Sequence, residues 1–141
     1  MKEGFGTFDH TGDLGLEVWA ESPERLYALA AEAVMAQIAR PIETGATEVE
    51  TGRLELEGQD PGDLLVHWLN TALLEAELAR VVWTSARVER WSPTGMVASL
   101  QGVRLDPRRQ EFLREIKAVS HHFLELDLEP PTCRCRLILD L

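Results

Sequence analysis

The sequence predicts an α+β fold: one domain over residues 1–141, with a mostly antiparallel sheet of about six strands and two main helices on one face. Three observations carry this expectation. Two stretches, Pro23 to Arg40 and Leu64 to about Leu78, repeat apolar residues at helical spacing. Before and after them, runs of residues alternate apolar and polar with a period of two. The later runs are joined by turn sequences rich in serine, proline, threonine and glycine, which suit antiparallel neighbours. A hydrophobic content of 45% in a chain of 141 residues is enough for one core rather than two.

In "FDHTGDLGLEVWAE", Phe8 to Glu21, a strand reads from Leu14 onward, after a polar knot of Asp9, His10, Thr11, Gly12 and Asp13. Ser22-Pro23 then starts a helix, the serine as cap and the proline pre-set at the first helical position. Leu26, Leu29, Ala30 and Ala33 share one arc of it, with Arg25 and Glu32 well away, and Pro41 ends it. From Thr47 to Glu57, Leu54 and Leu56 alternate with Arg53, Glu55 and Glu57, as in a half-exposed strand. A second helix carries Leu64, Leu65, Trp68, Leu69, Ala72 and Ala76 on a broad arc, with His67, Asn70 and Glu77 opposite. It is the most hydrophobic helix of the chain and the expected centre of the fold. Val81–Trp91 and Met96–Leu105 form a hairpin around Ser92-Pro93-Thr94-Gly95, and Arg114–Glu129 joins a last strand, Cys133–Leu141, through Pro130-Pro131-Thr132.

The balance of 24 acidic against 14 basic residues repels polyanions, which argues against a sequence-independent grip on nucleic acid. The four tryptophans do not interleave with basic residues, so a base-stacking platform is a poor reading as well. No apolar run reaches the roughly 20 residues that a membrane span needs, and the start "MKEGFGTFDH" lacks the apolar centre of a signal peptide. The expectation is a soluble, cytoplasmic protein. Cys133 and Cys135 fall on one face of a strand, where a bond between them would close too small a ring to stabilise much, and no second ligand pair supports zinc. They read as plain reduced residues in a cytosolic strand.

Few residues announce chemistry. Along "REIKAVSHHFLELDLE", alternation puts Ile116, Ala118, Ser120, His122, Leu124 and Leu126 toward the core. Glu115, Lys117, Val119, His121, Phe123 and Glu125 then lie opposite. In "CRCRLILDL" the cysteines share a face with Leu137 and Leu139, and Asp140 falls on the other with Arg134, Arg136 and Ile138. The knot admits two readings. Asp9 and Asp13 suit a turn, in which Gly12 takes a left-handed bend, and composition favours this. The alternative is a site for a hard cation, since carboxylates and carbonyls suit calcium or magnesium. No nucleophile motif, glycine-rich phosphate loop or zinc signature accompanies it.

Four blocks, "FDHTGDLGL", "DLLVHWLNTALLEAEL", "EIKAVSHHFLEL" and "LILDL", together resemble the archease family, in the family's order and along the whole chain. The resemblance implies a small α+β protein that activates an RtcB-type RNA ligase in tRNA splicing. It would assist the manganese-dependent guanylylation of the ligase by GTP and its repeated turnover, as a non-catalytic protein cofactor. It further implies a divalent cation, calcium or else magnesium or manganese, held by Asp13 of the H-T-x-D motif, by Asp140, and by backbone or terminal oxygen of Leu141. Lys117 matches the lysine of the I-K-A-V block, tied to activation together with Asp13 and Asp140. His10, His121 and His122 would stand around these ligands. Gly12 replaces the usual alanine and His121 a frequent tyrosine. The partner implied is the ligase, with no direct sequence-specific contact to nucleic acid and none to a membrane. Readings from other classes are a metal-dependent hydrolase or phosphotransferase using the same carboxylates, and a general chaperone-like assembly factor.

Overall fold

A computed structural model describes residues 2–42 and 49–141. Its elements in chain order are β1 (Gly4–His10), β2 (Asp13–Ala20), α1 (Pro23–Ala36), β3 (Ala39–Pro41), β4 (Val49–Glu57), α2 (Pro61–Ala79), β5 (Val81–Ser92), β6 (Gly95–Arg104), β7 (Gln110–Phe112), β8 (Ala118–Asp127) and β9 (Cys133–Asp140). The α+β class, the two helices and the antiparallel pairing are as expected. Among the described residues the strands number nine and form three sheets, ordered β1-β2-β9-β8, β4-β6-β5 and β3-β7. Three strands, β1, β3 and β7, went unread in the sequence. In β1, "GFGTFDH", glycines at positions 4 and 6 break the apolar alternation, although Gly4 leaves room for the indole of Trp19 across the sheet. In β7, three residues are too few to show a period. The expected strand start at Thr47 lies outside the described residues.

Both helices start as their sequences direct. Ser22 Oγ accepts from the Arg25 amide at 3.2 Å, and Asp60 Oδ1 accepts from the Asp63 amide at 2.8 Å, each followed by a proline. Helix α1 stops at Ala36, short of the expected Arg40. The residue before Pro41 disfavours helical backbone, and Ala39–Pro41 pairs instead with Gln110–Phe112. Helix α2 ends at Arg80, which takes a left-handed φ of 56°.

The core forms between the layers. α1 packs on β2 and β5, and α2 packs on β8, β4 and β5, so the helices bind the four-stranded sheet to the three-stranded one. Trp68 and Tyr27 are its largest fully buried side chains, and their polar atoms are satisfied across the helix pair. Trp68 Nε1 donates to the Tyr27 carbonyl at 2.8 Å, and Tyr27 Oη donates to the Pro61 carbonyl at 2.6 Å. Cys133 and Cys135 are free and share one face as expected, that face points into this core, and burial pushes the Cys135 thiol up to about 12. Neither thiol should react with an aromatic disulfide reagent at pH 8 until urea unfolds the protein; rapid titration of the native state would contradict their burial.

Asn70, expected opposite the apolar arc of α2, is a clamp. Its Nδ2 donates to the Val119 carbonyl at 3.0 Å and its Oδ1 accepts from the Val119 amide at 2.7 Å, which ties the helix to β8. Asn70→Ala strands both backbone groups in a half-buried place and should cost about 1–3 kcal/mol, read as a lowered urea midpoint with unchanged slope.

Candidate functional site

The knot is the turn of a hairpin. His10 and Asp13 are paired across β1 and β2, and Thr11-Gly12 makes the bend, with Gly12 at φ 75°. Strands β2 and β9 pair with Leu14 opposite Leu139, so one further step along both brings their end residues, Asp13 and Asp140, opposite each other. Asp140 in turn stands opposite Ala118 of β8. Leu139 is fully buried, so by alternation Asp140 and the residues in its row face away from the core. The row on that outer face therefore reads His10, Asp13, Asp140, Ala118. Directly opposed residues carry Cβ atoms roughly 4.5–5.5 Å apart, a spacing at which two carboxylates can share one cation.

Lys117 joins this row through the backbone, its amide donating to the Asp140 carbonyl at 2.8 Å, while its side chain is exposed. Leu141, also exposed, follows Asp140 directly. Four of the expected residues, Asp13, Asp140, Leu141 and Lys117, are thus brought to one end of the sheet.

The histidines divide. His10 Nδ1 is buried without a hydrogen-bond partner, 3.9 Å from Asp13 Oδ2, too far for a hydrogen bond between them. His121 and His122 sit in a wide bulge of β8, where His121, His122, Phe123 and Leu124 stand against Leu137 alone. The alternation expected for this strand fails in two places: residues 113–117 are not strand, so the phase resets before β8 and Val119 turns inward with Ala118 outward, and the bulge leaves His122 exposed, each the reverse of the sequence reading. Phe123 takes a left-handed φ of 60° and is 63% exposed. Its ring lies 4.2 Å from that of His122 and 5.4 Å from that of His10, forming an aromatic patch beside Asp13. His121 turns elsewhere, its Nε2 lying 3.0 Å from Asp63 Oδ1 in the first turn of α2.

Sequence reading missed Phe123 and Asp63 because a bulge cannot be seen in a period. It also missed the packing of Phe8, whose ring covers Gly15, where a Cβ would overlap it, and carries the Arg136 guanidinium at 4.1 Å.

Among the described residues, no three histidine, cysteine, aspartate or glutamate side chains are grouped to hold a metal ion. A cation at the end of the sheet would rest on the two aspartates, with backbone or water oxygen completing its shell. That donor set is all oxygen, which fits a hard ion and not zinc.

The Gln59 amide, bound at 2.8 Å, and then the His121 contact hold the Asp63 carboxyl below its ordinary range. A carboxylate with a lowered folded-state pKa contributes stability that is present above the unfolded value, near 3.8, and is lost as the pH falls through the folded value. Asp63→Asn should therefore melt with a weaker pH dependence below about pH 4 than the parent, in thermal scans between pH 7 and pH 3.

The model of the Archease protein family (MTH1598/TM1083) matches residues 5–141. The chain is 30% identical over 139 residues to protein archease of Methanopyrus kandleri, covering 94% of this chain and 96% of that one. It is 26% identical over 126 residues to protein archease of Pyrococcus abyssi, covering 87% of each. Among solved structures, the solution structure of Methanobacterium thermoautotrophicum protein 1598 superposes with a TM-score of 0.72 at 24% identity, over 98% of this chain and 99% of that one. A Thermotoga maritima crystal structure, described as an archease and possible chaperone, gives 0.64 at 20% identity, over 95% and 94%. These two structural likenesses bear on the fold.

Proposed function

This chain belongs to the archease family, and on that premise we propose that it activates an RtcB-type RNA ligase in tRNA splicing, as a protein cofactor that does not itself transform a substrate. One observation carries the proposal. The strand register brings Asp13 and Asp140, from opposite ends of the sequence, to one end of the sheet, and the Lys117 amide binds the Asp140 carbonyl there. These are the residues that match the family's activating aspartates and lysine, and folding alone brings them together.

The chemistry of the site follows from its charges. Two carboxylates at this spacing repel by roughly 1 kcal/mol in water and up to about 4 kcal/mol at an effective dielectric near 20. A divalent cation, calcium or else magnesium or manganese, would supply the positive charge that lets them be held together. Asp13 and Asp140 would hold it with backbone oxygen at Asp140 or Leu141. Their places in adjacent paired strands fix where the charge is presented. Lys117, exposed beside them, is free to meet an anionic group of the ligase or its nucleotide. His10 and the aromatic patch of Phe123 and His122 wall one side of the pair. The guanylyl transfer belongs to the ligase, whose own residues carry out the chemistry, and this chain's part is to present the acidic pair and Lys117 to it. A net charge of −10 supports docking on a basic, RNA-gripping partner rather than direct contact with RNA. Among the described residues no helix is long and apolar enough to cross a membrane.

The test is the rate of guanylylation of an RtcB-type ligase with GTP and manganese. The wild-type chain should accelerate it and Asp13→Ala should not, while circular dichroism shows the variant folded; full acceleration by Asp13→Ala would overturn the site. In a separate measurement, adding calcium should raise the melting temperature of the wild type and leave that of Asp140→Asn nearly unmoved. Equal shifts in both would remove Asp140 from the cation site.

A further inference from the structure

An apolar groove lies on the other side of Lys117. Its volume is about 540 Å³, and Leu73 and Leu74 of α2, Leu105, Phe112 of β7, Ile116 and Lys117 are among the residues that line it. Leu74, Leu105 and Phe112 are 52%, 42% and 61% exposed, so three large apolar side chains face water around one hollow. The hollow is built, since backbone bonds fix its walls. The Leu113 amide donates to the Ile38 carbonyl at 2.7 Å, the Leu105 amide to the Arg80 carbonyl at 2.9 Å, and the Lys117 amide to the Asp140 carbonyl at 2.8 Å. Arg114 Nη1 adds a bond to the Gln37 carbonyl at 2.7 Å. The last of the three backbone bonds joins the groove to the acidic site, because Lys117 belongs to both.

We propose that this groove is where the ligase docks, receiving an apolar segment of it flanked by charges of both signs; this rests on the activator reading above. The occupant follows from two facts. Lys117 is shared, so a partner engaged at Asp13 and Asp140 already lies against the groove's edge, and burying the three exposed apolar side chains gives that contact its affinity. Glu77 and Glu115 stand at the groove together with Arg80 and Lys117, so its rim carries both signs and matches both on the segment that enters, while the net charge of −10 favours a basic partner surface around it. The acidic pair then acts on the ligase's chemistry, and the groove holds the two proteins together.

These roles separate in one titration. Leu74→Glu places a carboxylate on a half-exposed helix position, and Phe112→Ala is the companion variant should the first misfold. The dissociation constant for the ligase is measured by calorimetry, and guanylylation is followed at increasing concentrations of each chain. Both groove variants should weaken binding by about tenfold or more and still reach the wild-type rate at saturation, whereas Asp13→Ala loses that rate. Unchanged affinity in both groove variants overturns the docking site and leaves the activator reading intact. Binding by the wild type that depends on Leu74 without any acceleration keeps the docking site and overturns the activator reading. No binding by the wild type overturns both. Sedimentation of the chain alone covers the remaining occupant: self-association abolished by Leu74→Glu would give the groove to a second copy and overturn the proposal.

Discussion

The pairing of β2 with β9 is the constraint on which the rest of the molecule depends. It joins the first fifth of the chain to its last strand and makes those two strands the middle of the four-stranded sheet. In this register Leu14, Leu16, Val18 and Ala20 face Leu139, Leu137, Cys135 and Cys133, and all eight pack in or against the core. A slip of one residue would turn Asp13 and Glu17 inward and these apolar side chains outward, a change no surface contact could offset. Packing therefore fixes the register, and the register in turn fixes where Asp13 meets Asp140. The acidic pair is held in place by the hydrophobic face behind it.

The outer strands of this sheet carry what the central pair does not. β1 turns back beside β2 so that Phe8 can lie over Gly15, with the guanidinium of Arg136 of β9 stacked on the ring. β8 keeps its ladder with β9 on either side of the bulge and gives up pairing in between. A left-handed phenylalanine is a costly conformation, and three contacts hold the bulge in place. Asn70 fixes Val119 just before it, the Ser120 hydroxyl accepts from the His122 amide at 2.9 Å, and Asp63 receives His121. The outcome is an exposed aromatic ring set beside the acidic row.

The parts of this fold that follow one period for a full element were legible in the sequence. Both helices, the β5–β6 hairpin and the inward face of β9 with its two cysteines were read from spacing and turn residues alone. The glycines of β1 erased its alternation, the irregular residues 113–117 reversed the face assigned to Val119, and the bulge exposed His122, because period-two reasoning assumes an unbroken ladder. Asn70 and Glu32 failed for another reason. Both lie off the apolar arc of a helix and look solvated, yet each reaches backbone of a neighbouring strand, Glu32 Oε2 accepting from the Ala86 amide at 2.9 Å. A polar side chain spent on a strand's unpaired amide leaves no trace in one-dimensional patterning. The acidic pair was legible only through family resemblance, since composition alone favoured a turn at Asp13, and the chain does turn there.

Helix α2 serves two regions of the surface at once. Its first half carries Asp63 and Asn70, which hold the β8 bulge and Val119, and its second half carries Leu73, Leu74 and Glu77, which form a wall of the groove. Buried Trp68, in the first half, is bonded to α1 and seats the helix against its neighbour. The segment ahead of β8 runs along the groove and then delivers Lys117 to Asp140. A load placed in the groove therefore bears on the same helix and the same short segment that position the acidic row.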